Sequence, residues 1–194
     1  LGDYIDRGLE SKQVVDFLLD DPVQKFDPIF IKGNHEEALL NFLEDPRQGP
    51  VWARFGGRET LVSYGVRPPR GLSFSEDWIR AHREFKDIFP ETHMQFLRRL
   101  KASARIGKFG FAHAGIRPGV PFEEQSEKDL LWIRDEFLKS KAELDVCLIH
   151  GHTPVDQATV ENNRINVDTG AYYSGRLTAV RLIGDDISFI STRP

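Results

Sequence analysis

The chain has 194 residues, of which 40% are apolar and 29% charged, and a formal net charge of −4. Those values describe an ordinary globular domain with length for one sizeable core, and no run approaches the ~18 apolar residues that a membrane span requires. The acidic balance argues against a general nucleic-acid binder. The single cysteine, Cys147 in the apolar run from Val146 to Ile149, excludes an internal disulfide and reads as a small buried residue, which fits a reducing, cytoplasmic setting.

In chain order, Leu1 reads as the last residue of a strand whose start is missing. Ser11 is placed as the N-cap of a helix whose stripe is Val14, Val15, Leu18 and Leu19, ended by Pro22. Pro28 to Ile31 reads as a short buried strand. Glu36 to Leu43 has Ala38, Leu39, Phe42 and Leu43 on one helical face, which puts His35 at a helix N-terminus. Leu1 to Phe42 is therefore a βαβα pattern, the signature of a parallel sheet.

Residues 44–75 are rich in Gly, Pro and Arg and read as irregular. Phe74 to Phe89 and Glu91 to Leu100 read as helices broken by Pro90, so the region looks like a helical cap. Within it, Arg98, Arg99, Lys101, Arg105 and Lys108 form a basic run, read as a solvated face. Ala104 to Ala112 is strand-like with a turn at Gly107, and Glu127 to Leu138 is an amphipathic helix. Val146 to Ile149 is a buried strand. Short alternating runs at Thr159–Val160, Arg164 to Val167, Leu177 to Leu182 and Ile187 to Ile190 follow, with turns at Asn162–Asn163 and Gly184 to Asp186.

Four polar elbows follow apolar runs: Gly2-Asp3 with Asp6-Arg7-Gly8, Gly33-Asn34-His35-Glu36, His113-Ala114-Gly115, and His150-Gly151-His152-Thr153. In open α/β sheets, ligands bind at the C-terminal ends of strands, where these elbows are expected. Four of the six histidines lie in them; His82 and His93 fall in the helical middle, where a surface role is expected. Carboxylate, carboxamide and imidazole without thiolate suit Mn, Fe or Zn in a catalytic setting rather than a cysteine-rich structural site.

GDYIDRG, GNHE, HAG and GHT, in this order, resemble the calcineurin-like metallophosphoesterases, and more narrowly the bacterial form of the phosphoprotein phosphatase branch. The resemblance runs from Leu1 to about Arg181. It implies an α/β fold, an αββα sandwich of two mixed β-sheets flanked by helices. It also implies one catalytic domain over 1–194 with a helical cap insert at about 44–105. By the same resemblance Asp3 matches a carboxylate bridging two metal ions, and Asn34, His113 and His152 match the other ligands of the second metal. His35 matches the general acid, Asp6 its orienting partner, Arg7 and Arg134 the phosphate clamps, and Tyr173 a pocket-lining tyrosine. His150 is read as a structural neighbour and not a ligand. The family's cofactor is a pair of divalent ions, with Mn favoured over Fe or Zn.

One departure matters. The family carries a further elbow, Gly-Asp-x-His-Gly, about one βα unit before GDxxDRG, and nothing precedes Leu1 here. The chain is therefore expected to be a fragment of a full enzyme rather than a degenerate relative. Its second metal site alone should be complete, its hydrolysis poor, and an open sheet edge should favour self-association. The activity first expected is that of a serine/threonine protein phosphatase acting on a phosphoprotein or small phosphoester. A dinucleoside polyphosphate hydrolase is the alternative, and a non-catalytic binding module on the same scaffold the third reading. Neither a nucleic acid nor a membrane is an expected partner.

Overall fold

The structure is a computed structural model, and it describes residues 1–20, 25–161 and 163–192. It divides into two compact units, Gly2–Lys101 and Leu1 with Ala102–Pro194. The expected helix end at Pro22 and the turn residue Asn162 lie outside the described residues.

The first unit is helical. Helix α1, Ser11–Leu18, buries Val15, and its N-cap is Glu10. Ser11 is thus the first helical residue and not the cap expected of it. Its hydroxyl accepts from Asp6 N at 3.1 Å and donates to Gly8 O at 3.2 Å, which commits it to the preceding loop. Helix α2, Asn34–Glu44, buries Ala38, Leu39, Phe42 and Leu43 on one face. Acidic residues in its first turn suit the positive end of the helix dipole, and it stops at an extended Asp45 before Pro46.

The strand expected at Pro28 to Ile31 is not formed. At the elbow expected after Leu1, Gly2 (φ 86°) and Asp3 (φ 58°) are left-handed. The 28–31 segment makes a single parallel bridge, Ile31 with Lys101, through Lys32 N to Lys101 O (2.8 Å) and Lys101 N to Phe30 O (2.9 Å).

Residues expected to be irregular instead form helices α3, Gly49–Arg54, and α4, Gly57–Ser63. Pro50 in the first turn is compatible with a helix start, because the N–H it lacks would have no partner there. Gly49 and Gly57 are there for room: a Cβ would sit 2.2 Å from the Trp78 ring and 2.3 Å from the Trp52 ring, respectively. Helices α5, Glu76–Ile88, and α6, Glu91–Arg99, fall where helical spacing puts them, separated by Pro90. The core is aromatic, with Phe42 stacked on Trp52 at 4.8 Å and Trp78 and Phe85 fully buried beside them.

His82 and His93 correct the surface role expected of them. His93 is buried, donates from Nε2 to Asp16 Oδ1 (2.9 Å), and accepts from the Tyr64 hydroxyl at Nδ1 (2.8 Å). His82 is partly buried against Leu43 O at 3.1 Å.

The second unit is α/β. Strands β1, Ser103–Ile106, and β2, Phe109–Ala112, form an antiparallel hairpin turned at Gly107, whose φ of 58° suits glycine. Strands β3, Cys147–His150, β4, Thr159–Glu161, and β5, Arg164–Asn166, complete a mixed sheet of order β1-β2-β3-β5-β4, in which β2, β3 and β5 are parallel. The helix expected over Glu127 to Leu138 is two, α7, Glu127–Trp132, and α8, Asp135–Leu138. Ile133 turns extended (φ −60°, ψ 142°) between them, buried in the core with Phe137, and Arg134 caps α8. Helix α9, Ala171–Ser174, precedes a second sheet, the antiparallel hairpin of β6, Thr178–Ile183, and β7, Asp186–Ser191. Cys147 is half-buried. Burial raises its thiol pKa against a smaller lowering from Lys108, which disfavours the thiolate. No helix among the described residues is long and apolar enough to cross a membrane.

Candidate active site

The elbows fall in two sets, one in each unit. In the first unit, Asp3, Asp6 and Arg7 have φ of 58°, 75° and 63°. Three left-handed non-glycine residues in five positions are costly, and such strain persists only where surrounding bonds over-determine it.

Those bonds are present. Glu36, fully buried in the first turn of α2, accepts from Asp3 N (2.9 Å) and Gly33 N (2.8 Å) at Oε2, and from Tyr4 N (2.7 Å) at Oε1. Asp6 N donates to Ser11 Oγ (3.1 Å) and Thr60 Oγ1 (2.9 Å). The Asp6 carboxylate, itself buried, accepts from His35 Nδ1 (2.7 Å), Thr60 Oγ1 (2.6 Å) and Trp52 Nε1 (3.0 and 3.1 Å to its two oxygens). Arg7 is exposed, held by its N to Gly56 O at 3.1 Å and by Nε to Phe55 O at 3.4 Å.

The Asp6–His35 pair holds a proton more tightly than either group would in water. Burial pushes His35 down, but the bond to Asp6 and the charges of Asp3, Asp6 and Glu36 outweigh it, and the net direction is up. Burial pushes Asp6 up against the bonds from His35, Thr60 and Trp52. His35 Nε2 then points to the Asp3 side, 3.7 Å from Asp3 Oδ2. Asn34 is buried as the first residue of α2, between Gly33 and His35, both packed against Asp3.

In the second unit, His113 follows β2 and His152 follows β3. The two strands are adjacent and parallel, so their C-terminal ends bring together residues 39 positions apart. His113 Nδ1 donates to Leu1 O at 2.9 Å, which leaves Nε2 with its lone pair 3.1 Å from His152 Nδ1. Gly151 N donates to His113 O at 2.8 Å, tying one elbow to the other, and His152 sits at φ 66°. Beside them, Arg134 reaches Thr153 Oγ1 at 3.3 Å and the Trp132 ring meets His152 edge-on at 6.2 Å. His150 is fully buried, donates from Nδ1 to Gly151 O at 3.2 Å and packs edge-on against Phe137. Burial lowers its pKa to about 4, which suits a structural, neutral imidazole. Tyr173 is exposed, edge-on to Tyr172, with its ring filling the space beside Gly170.

Among the described residues, no group of three or more His, Cys, Asp or Glu is gathered closely enough to hold a metal by itself. Within each unit the donor chemistry nevertheless suits a divalent ion: the Asp3 carboxylate and Asn34 carboxamide in the first, and the His113 and His152 imidazoles, 3.1 Å apart, in the second. Gly33 also fits, since a Cβ there would lie 2.2 Å from Asp3 Oδ1.

Sequence reasoning missed Glu36, Trp52, Thr60 and Ser11. Glu36 had a signal, an acid three residues past a helix-capping position. Trp52 and Thr60 had none, being 46 and 54 residues from the Asp6 they hold.

The sequence profile of the calcineurin-like phosphoesterase family matches residues 1–187. The chain is 28% identical to an asymmetrical bis(5'-nucleosyl)-tetraphosphatase PrpE of Anoxybacillus flavithermus, over all of this chain and 79% of that protein. The same-named proteins of a Geobacillus strain and of Halalkalibacterium halodurans are 26% and 25% identical, over 93% and 98% of this chain and 73% and 76% of theirs. A solved structure described as a diadenosine tetraphosphatase candidate superposes with a TM-score of 0.63 at 18% identity, covering 98% of this chain and 78% of that one. With its α/β architecture and its elbow residues, the chain belongs to the calcineurin-like phosphoesterase family, metal-dependent hydrolases of phosphoesters.

Proposed function

We propose that the protein hydrolyses dinucleoside tetraphosphates asymmetrically, releasing a nucleoside triphosphate and a monophosphate. The observation that carries this reading is the match of all 194 residues to a relative of that name, over 79% of the relative's length. The names reverse the order read from sequence, in which the serine/threonine phosphatase stood first. The catalytic residues cannot make that choice, because both activities need the same core.

In this proposal Asp3, Asn34, His113 and His152 act as metal ligands, as the family resemblance implies. Manganese is the expected ion. Divalent cations, when bound, supply Lewis acidity to the attacking water and neutralise phosphoryl oxygens. Asp6 holds His35 through Nδ1, and His35 delivers its Nε2 proton to the oxygen that leaves phosphorus, a role typically worth ~10²–10⁴-fold. Arg7 and Arg134 grip phosphate oxygens with forked donors. Tyr173 lines the bound substrate.

The test is product analysis. The protein is incubated with Mn²⁺ and diadenosine tetraphosphate, and nucleotides are separated by chromatography. Equal amounts of ATP and AMP are expected. Two ADP per substrate, or no turnover alongside faster dephosphorylation of a phosphoserine peptide, would reject this substrate.

A further inference from the structure

Resting on the reading of Asp3 as a metal ligand, we infer that Glu36 is a positioning residue that sets the Asp3 carboxylate for the cation. A glutamate in the first turn of a helix ordinarily reaches back to one backbone N–H, that of the capping residue. Glu36 does so to Gly33 N at 2.8 Å, and also takes Asp3 N at 2.9 Å and Tyr4 N at 2.7 Å, across 33 and 32 residues of sequence. Two of these three bonds therefore serve the other elbow and not the helix.

That elbow needs holding. Asp3 and Gly2 lie at φ 58° and 86°, and the left-handed region disfavours a residue with a Cβ. A carboxylate is acceptor-only, so Glu36 can meet three N–H donors at once. A glutamine would turn an NH₂ towards one of them. Because α2 is packed into the core through Leu39 and Phe42, the clamp is mounted on a rigid element.

Gly33 is the second half of the arrangement. Its φ of −100° is open to any residue, so conformation does not demand glycine. Space does: a Cβ would meet Asp3 Oδ1 at 2.2 Å, Asp3 N at 2.5 Å and Glu36 Oε2 at 2.8 Å. An alanine would wedge the ligand and its clamp apart.

The experiment measures Mn²⁺ affinity by the electron paramagnetic resonance of free Mn²⁺, for wild type, Glu36→Gln, Gly33→Ala, Asp3→Asn and the Glu36→Gln/Asp3→Asn double variant. Glu36→Gln and Gly33→Ala should each weaken Mn²⁺ binding ~10–100-fold, the usual effect of losing a group that orients a ligand. Activity should half-saturate at correspondingly higher Mn²⁺, with kcat at saturation close to wild type. Once Asp3 is Asn, Glu36→Gln should add little, since it acts through Asp3. A purely structural Glu36 would lower the metal-free melting temperature and leave affinity unchanged. Wild-type affinity in Glu36→Gln overturns the inference, as does full additivity in the double variant. Should Glu36→Gln not fold, wild-type affinity in Gly33→Ala overturns it. Wild-type protein that takes up no Mn²⁺ refutes the metal reading itself, a failure visible before any variant is compared.

Discussion

Thr60→Val probes the buried pair on which proton delivery depends. Thr60 is fully buried, and valine has its shape, so the change removes one hydroxyl and leaves no cavity. The hydroxyl donates to Asp6 Oδ1 at 2.6 Å and accepts from Asp6 N at 2.9 Å. A hydrogen bond to a buried charged group contributes about 1.5–3 kcal/mol, so a loss of about 2 kcal/mol is expected. In a chain of this length that lowers the melting temperature by roughly 4–8 °C. Asp6 keeps two of its three side-chain donors, His35 and Trp52, so part of the ~10²–10⁴-fold acid contribution survives, and a fall in kcat of about tenfold is expected. The fall should depend on the leaving group. Phenyl phosphate, which needs the proton, should suffer more than p-nitrophenyl phosphate, which does not. Equal losses on the two substrates, or an unchanged melting temperature, would refute the reasoning.

The remaining predictions concern stability and metal. His150, with its pKa lowered by burial from 6.5 to about 4, is neutral when folded. The unfolded chain takes the proton first, so this contribution is intact above pH 6.5 and lost progressively as pH falls to 4. The gap is about 2.5 pH units at 1.36 kcal/mol each, so denaturant titrations should show a loss of about 3 kcal/mol that His150→Gln no longer shows. The comparison with the variant is needed because His35, raised on folding, acts in the opposite direction. Gly110→Ala would put a Cβ 2.8 Å from Val146 Cγ2 and 2.9 Å from the Phe122 ring, both buried. Overpacking should cost about 1–3 kcal/mol in thermal unfolding and leave kcat near wild type. Removal of divalent cations by a chelator should abolish hydrolysis, and added Mn²⁺ should restore it.

The elbows were legible in the sequence because each joins glycine to ligand-type residues at the end of an apolar run. The hairpin β1-β2, the strand β3 and the helices α5 and α6 were legible for the same kind of reason, as short apolar runs or helical spacing bounded by Gly107 and Pro90. Helices α3 and α4 were not, because Gly49, Pro50, Gly56 and Gly57 read as loop. Two of those glycines instead make room for Trp78 and Trp52, a purpose visible only once the rings are in place. The hydrogen bonds of Trp52 and Thr60 to Asp6 are tertiary and leave no local pattern. His93 looked like a surface residue because its partners, Asp16 and Tyr64, lie 77 and 29 residues away.

The central claim is metal-dependent phosphoester cleavage with Asp3 and His152 as proposed ligands, and Mn²⁺ affinity in Asp3→Ala and His152→Ala tests it most directly. Each substitution should weaken Mn²⁺ binding and abolish release of ATP and AMP from diadenosine tetraphosphate. Either variant binding Mn²⁺ as wild type does would contradict the claim.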